Sequence, residues 1–226
     1  MKHIIDHIPK STPYNRRPGI PMTPTTITIH NTGNPSSTAR NERGWLMNPK
    51  NDRTASFHIV VDENEAIEVI PLNEVAWHAG DGSGAKSGNR TSIGIEICES
   101  GNYAKTLENA AELVAKLLKD FGWGVDRLRR HYDWSGKICP RLMYDGGKWT
   151  GWKKFLKLVE EKLEEDNMSK KKGPFKDVPA DYWAAKEIEA VRAAGLMGGR
   201  ADGTFGPGEP VTRAQLAVIL AKLLKK

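Results

Sequence analysis

Cysteine is nearly absent from this chain of 226 residues, which has only Cys98 and Cys139. Two are too few for a disulfide framework, so the fold must rest on a buried core. No apolar run reaches the roughly 18 residues that a membrane span requires, and no membrane insertion is expected. Residues 1–19 hold three Pro, several charges and no apolar h-region, so they do not read as a secretory signal. The expectation is a protein made in the cytoplasm and initially kept there. A nucleic-acid recognition motif is also missing, although a net charge of +6 and a pI near 9.2 favour anionic polymers in general. No nucleic-acid partner is expected.

What is present describes a soluble globular protein, 38% hydrophobic and 27% charged, long enough for one ordinary domain and a small one. The composition changes after Leu163. Glu164-Glu165-Asp166-Asn167-Met168-Ser169-Lys170-Lys171-Lys172-Gly173-Pro174 is polar, charged and ends in Gly-Pro, so 164–174 reads as a linker between domains 1–163 and 175–226. Upstream the pattern is α/β. Strands are predicted over 25–30, 57–62 and 66–70, with a turn at Asp62-Glu63-Asn64. Residues 93–98 alternate, with Ile93, Ile95 and Ile97 on one face and Gly94, Glu96 and Cys98 on the other. Thr106 is a plausible N-cap for a helix carrying Leu107, Ala110, Ala111, Val114, Leu117 and Leu118, ended by Gly122. A last helix is predicted over 149–164, with Trp152, Phe155, Leu156, Val159 and Leu163 on its apolar face.

Three residues stand out. His30 closes the β-branched stretch Ile27-Thr28-Ile29-His30, and His131 and Cys139 sit in His131-Tyr132-Asp133-Trp134-Ser135-Gly136-Lys137-Ile138-Cys139-Pro140. Two neutral imidazoles and a thiolate make a three-ligand zinc set with the fourth tetrahedral position open, as in catalytic rather than structural sites. Such a centre carries a net charge of about +1 and can bring the pKa of bound water to about 7. The loop between His131 and Cys139 is long enough to bring both to one metal. One Zn2+ in the larger domain is the expected cofactor, with Cys98 left as a buried free thiol. N/S ligands narrow the choice of metal without fixing it.

These residues belong to a longer series in fixed order. It comprises Ile29-His30-Asn31-Thr32, Ser56-Phe57-His58-Ile59-Val60-Val61-Asp62, Val75-Ala76-Trp77-His78-Ala79-Gly80, Ser92-Ile93-Gly94-Ile95-Glu96, Arg130-His131-Tyr132-Asp133 and Lys137-Ile138-Cys139-Pro140. The series resembles the zinc-dependent N-acetylmuramoyl-L-alanine amidases of the phage-lysozyme and peptidoglycan-recognition type. That resemblance implies a mixed central β-sheet flanked by helices. It also implies cleavage of the amide joining N-acetylmuramic acid to L-alanine in peptidoglycan. It makes His30, His131 and Cys139 the metal ligands. Glu96 becomes the general base and later the acid, and Lys137 the group that stabilises the oxyanion. A Glu inside an Ile-rich strand is costly to bury without a role. Trp77 and His78 are expected to line the groove, His58 to be structural, and His3 and His7 to have no role. One departure is Phe57, where some members carry a catalytic Tyr. Phe has no hydroxyl, which shifts the acid–base burden to Glu96 and Lys137.

The C-terminal part resembles one S-layer homology repeat. The matching pieces are Phe175-Lys176-Asp177-Val178-Pro179, Asp181-Tyr182-Trp183-Ala184, Gly195-Leu196-Met197, Gly203-Thr204-Phe205-Gly206-Pro207 and Val211-Thr212-Arg213-Ala214-Gln215. An all-α helical hairpin is expected, with helices over 183–194 and from Thr212, the second carrying Leu216, Ile219, Leu220 and Leu223 as its apolar positions. The resemblance implies anchoring to pyruvylated secondary cell-wall polysaccharide. Arg213 is the candidate for the ketal carboxylate and Trp183 a candidate sugar platform. The family often has Glu where Gln215 stands, which removes a candidate carboxylate. Such repeats usually come in threes, and a module of about 50 residues is marginal alone, so self-association through it is expected. Met168 precedes the complete module and is a candidate internal start, which would release a separate 168–226 fragment able to join the full chain. The role this suggests is that of a phage endolysin, held inside the cell until a membrane pore releases it to the wall. A bacterial autolysin and a non-catalytic peptidoglycan-binding protein are the alternatives, and Cys139 beside both His favours an enzyme.

Overall fold

The computed structural model describes residues 1–171 and 173–224; the side chains of 166–171 lie outside the described residues. In chain order the elements are β1 (Lys2–Ile5), β2 (Thr26–Asn31), α1 (Ala39–Met47), β3 (Ile59–Val61), β4 (Glu65–Glu68) and α2 (Gly88–Thr91). β5 (Ser92–Ile97), α3 (Tyr103–Asp120), β6 (Leu128–Arg130), α4 (His131–Ser135), α5 (Thr150–Lys171), α6 (Ala185–Ala193) and α7 (Arg213–Leu223) follow. Contacts divide the chain into Met1–Leu163 and Glu164–Lys226.

In the first unit six strands form one sheet in the order β1-β4-β3-β5-β2-β6. Only β3 and β4 run antiparallel; the other neighbours are parallel, so the sheet is mixed, as the sequence implied. The 93–98 alternation sorts onto two faces. Ile93, Ile95 and Ile97 join Ile27 and Ile29 in a core closed by Ala110, Val114 and Leu118 of α3 and by Trp152, Phe155 and Val159 of α5. Cys98 points into the opposite core with Val60, Ile67 and Leu46 of α1, and its thiol is free and buried. Asp62 locks this second layer. Its Oδ1 accepts from the Asn64 and Glu65 amides in the turn, and its Oδ2 from the Ala39 amide that opens α1.

Several boundaries differ from expectation. α3 begins at Tyr103 with Asn102 as its cap, whose side chain accepts from the Lys105 amide; Thr106 lies inside the helix. α5 does not stop near Glu164 but continues to Lys171, so most of the stretch read as a linker is helical. Its Glu and Lys residues are good helix formers, and polarity alone concealed this. β1 and β6 lie outside the strands that the sequence pattern predicts. They are short sheet-edge strands, held by backbone pairing more than by apolar periodicity. Arg16 is fully buried and donates to the carbonyls of Leu46, Asn48, Asn51 and Arg53. It thereby satisfies the C-terminal end of α1 and fixes the loop that follows.

The second unit is a helix pair with a small core of Val178, Ala185 and Ile188, flanked by Phe175 and Phe205 with ring centroids 5.0 Å apart. The first helix starts at Ala185, two residues later than expected, and Gly195 follows it with a positive φ. Asp177 accepts from the Phe205 and Gly206 amides at 2.7 and 2.8 Å, which ties the segment before α6 to the turn before α7. Thr212 caps α7 as expected, in a capping box with Gln215. Leu216, Val218, Leu220 and Leu223 of α7 are about half exposed, and α7 has no buried residue.

Candidate metal centre

Parallel pairing places His30 of β2 opposite Glu96 of β5, on the sheet face away from the large isoleucine core. On the other side of β2 runs β6, which delivers His131 at the first turn of α4. The chain after α4 returns Cys139, whose carbonyl accepts from the Tyr132 amide and whose Sγ lies 3.5 Å from the Asn31 amide. Ligand atoms of His30, His131 and Cys139 all lie within 4.8 Å of one another, and all three residues are buried. His30 Nδ1 is 3.0 Å from His131 Nδ1 and 3.8 Å from Cys139 Sγ.

The electrostatics suit a dication. Burial holds His30 well below its ordinary pKa, helped by His78, His131 and Lys137. Burial, then the Lys137 charge, brings His131 down to about 4. Both rings are therefore neutral at physiological pH and keep a lone pair. Burial pushes the Cys139 thiol up to about 12, so it needs an adjacent cation to ionise. Two lone pairs facing at 3.0 Å repel unless a cation or proton is shared between them. Donor type, donor number and convergence all fit zinc with one position open.

Glu96 has an Oε2 sealed from solvent with no hydrogen-bond partner among the described residues. Burial raises its pKa to about 8; the Glu42 carboxylate adds to this and Lys137 opposes it. A carboxyl poised near neutrality can both take and give a proton. Lys137, Glu96 and the three candidate ligands line one cleft of about 410 Å³.

Trp77 and His78 also line that cleft. The Trp77 indole donates to the Asn15 carbonyl. His78 is 6% exposed, and both its ring nitrogens have protein partners: Nε2 is 2.9 Å from the Ser92 carbonyl and Nδ1 is 3.1 Å from His30 Nε2. His78 thus lines the cleft with both ring nitrogens engaged by protein atoms. His58 is buried between the Glu74 carbonyl and the Gly94 amide. Phe57 lies on the cleft wall, so a hydroxyl is missing from that place. Sequence reasoning missed Glu42, Trp45 and Arg53, which also line the cleft. They come from α1 and the loop clamped by Arg16, and no motif marks them.

In the second unit Trp183 is 85% exposed and Arg213 is exposed at the start of α7. The Gln215 side chain is occupied, its Oε1 accepting from the Thr212 amide.

Residues 20–142 match the N-acetylmuramoyl-L-alanine amidase family model, and 174–217 match the S-layer homology domain. The chain is 35% identical to the amidase CwlA of Bacillus subtilis over 219 residues, covering 95% of this chain and 78% of that protein. It is 43% identical to the amidase XlyB of the same organism over 71% of this chain, but spans about half of that relative's length (49%). The solved catalytic domain of XlyA superposes with a TM-score of 0.63 at 42% identity, over 70% of this chain and 99% of that one. The structure of PlyL gives 0.61 at 35% identity, over 70% and 97% of the two chains. The chain therefore belongs to the N-acetylmuramoyl-L-alanine amidase family and carries an S-layer homology domain C-terminal to its amidase domain in sequence.

Proposed function

We propose that residues 1–163 hydrolyse the amide between N-acetylmuramic acid and L-alanine in peptidoglycan, and that residues 175–226 hold the enzyme on the wall. The observation that carries this reading is the meeting of His30, His131 and Cys139 with Glu96 and Lys137 in one cleft. His30, His131 and Cys139 would hold the zinc, which would supply Lewis acidity and make a water nucleophilic at neutral pH. Glu96 takes the proton of the attacking water and returns it to the departing alanine nitrogen. The Lys137 ammonium stabilises the charge that develops on the carbonyl oxygen. Phe57 takes no part in proton transfer.

Exposed Trp183 and Arg213 suit a sugar face and a carboxylate of wall polysaccharide. The apolar, unburied α7 suits self-association, in which a 168–226 fragment started at Met168 could take part. Met168 itself has a side chain outside the described residues, and intact mass of the expressed product decides whether that fragment exists. Release to the wall as an endolysin is the biological setting we favour.

The decisive experiment is mass spectrometry of Gram-positive peptidoglycan digested by wild type and by Cys139→Ser. Free stem peptides beginning with L-alanine, from wild type alone, are expected. Intact stem–glycan linkages with the protein still wall-bound would leave a binding protein instead.

A further inference from the structure

Each histidine ligand presents Nδ1 to the centre, so each Nε2 must carry the proton and needs an acceptor. Both acceptors come from one short segment. The Ser92 carbonyl can only accept, so His78 Nε2 carries a hydrogen and donates to it at 2.9 Å. His78 Nδ1 is then a lone pair, and it accepts from His30 Nε2–H at 3.1 Å. The next residue serves the other ligand. His131 Nε2 faces this segment, 3.2 Å from where a Cβ on Gly80 would stand, and the neighbouring Ala79 backbone favours a proton on that ring. The segment is itself held from behind. Asn89 Oδ1 accepts from the His78 and Ala79 amides at 2.6 and 2.7 Å, and its Nδ2 donates to the Gly82 carbonyl at 2.8 Å. A Cβ on Gly94 would stand 2.6 Å from His78 Cγ, so glycine there lets the ring lie flat on β5.

We propose that the 77–80 segment, keyed by Asn89, fixes the metal-binding tautomer of both histidine ligands. His78 is thus a positioning residue for His30, and not a contact for substrate. This rests on the metal-centre reading but not on which bond is cleaved.

The test is zinc affinity of the full chain, by competition with a chromophoric chelator, for His78→Asn, His78→Gln and His78→Phe. Asn keeps an acceptor near the place of Nδ1; Gln keeps a donor toward Ser92 but loses that acceptor; Phe keeps only ring bulk. Gln and Phe should weaken zinc about 10–100-fold, the usual consequence of losing such a partner. Asn should recover most of that loss. Equal affinity in all three, or Asn no better than Phe, would overturn the proposal. Should the variants fail to fold, long-range 1H–15N spectra of zinc-loaded wild type decide: Nδ1 bound and Nε2 protonated in both ligands is expected, and zinc on either Nε2 overturns it. Wild type that binds zinc through Nδ1 but releases no L-alanine peptides would sink the amidase reading and leave this one standing.

Discussion

Both faces of the amidase sheet are covered, and Arg16 gathers four carbonyls in its buried interior, while Glu96 Oε2 stays sealed without a partner among the described residues. Among the described residues the S-layer homology unit has three buried core residues, and its second helix buries none. Both regions carry motifs that identify their families, so recognisability does not track burial. The larger region builds its site from residues that its core already holds. The smaller one leaves apolar surface over, as expected where a short chain cannot cover itself.

The sharpest way to sharpen this contrast is Glu96→Gln. It removes a carboxyl that the fold buries without a hydrogen-bond partner for Oε2. Turnover on purified peptidoglycan should fall about 10²–10⁴-fold, the range for losing a general acid–base group. Zinc content should stay, and thermal stability should hold or rise at alkaline pH, because Gln cannot ionise and so removes the cost of charging a buried carboxyl. Loss of zinc together with activity would make Glu96 part of the site's architecture instead.

Acid should separate the regions next. Burial brings His58 to about 4 and His78 to about 3, and His30 and His131 move the same way. Between their ordinary value of 6.5 and those values the unfolded chain binds protons that the native chain refuses, so stability falls as pH falls through that window. Glu96 acts oppositely, costing stability as pH rises from 4.5 to about 8. The second unit contains no histidine, and its Asp177, Glu189 and Asp202 carboxyls are held low, so its stability should change only below about pH 4.5. Residue-resolved hydrogen exchange from pH 7 to 4 should show protection falling in the sheet while α6 keeps its own. A parallel loss in both would break the distinction.

What the sequence disclosed follows the same physical line. Ile93, Ile95 and Ile97 were legible because the β5 alternation is itself the difference between two environments. His30, His131 and Cys139 were legible as chemistry that few other arrangements explain. The burial of Arg16 was not, since its four acceptors lie 30 or more residues away. Nor was the duty of His78, because Ser92 and His30 reach it only through the fold. On α7 the sequence shows apolar positions, but spacing does not say whether anything covers them, and the fold buries none.

A covering partner for α7 is therefore the next thing to test. Leu220→Glu places a charge on that half-exposed face. Sedimentation should show wild type self-associating and the variant shifted toward monomer. Amidase activity on soluble muropeptides should be unchanged, and the variant should unfold within about 0.5 kcal/mol of wild type, as for surface changes that break no packing. Identical sedimentation at all concentrations would remove self-association through this helix.

The smallest expected effect carries the comparison furthest, because it holds the chemistry constant. Asn102 caps α3 through the Lys105 amide at 3.1 Å, and Thr212 caps α7 through the Gln215 amide at 3.2 Å. Replacing either by Ala should cost about 1 kcal/mol. The two losses should nevertheless be read differently. α3 is fastened along its length by Ala110, Val114 and Leu118, so Asn102→Ala should lower the melting temperature of the amidase domain without fraying the helix. α7 has no such fastening, and a helix of 11 residues is marginal by itself. Thr212→Ala should therefore appear as lost amide protection over the first turns of α7 rather than as a shifted transition. If α7 keeps full protection, the packing of the second unit is stronger than its three buried residues imply.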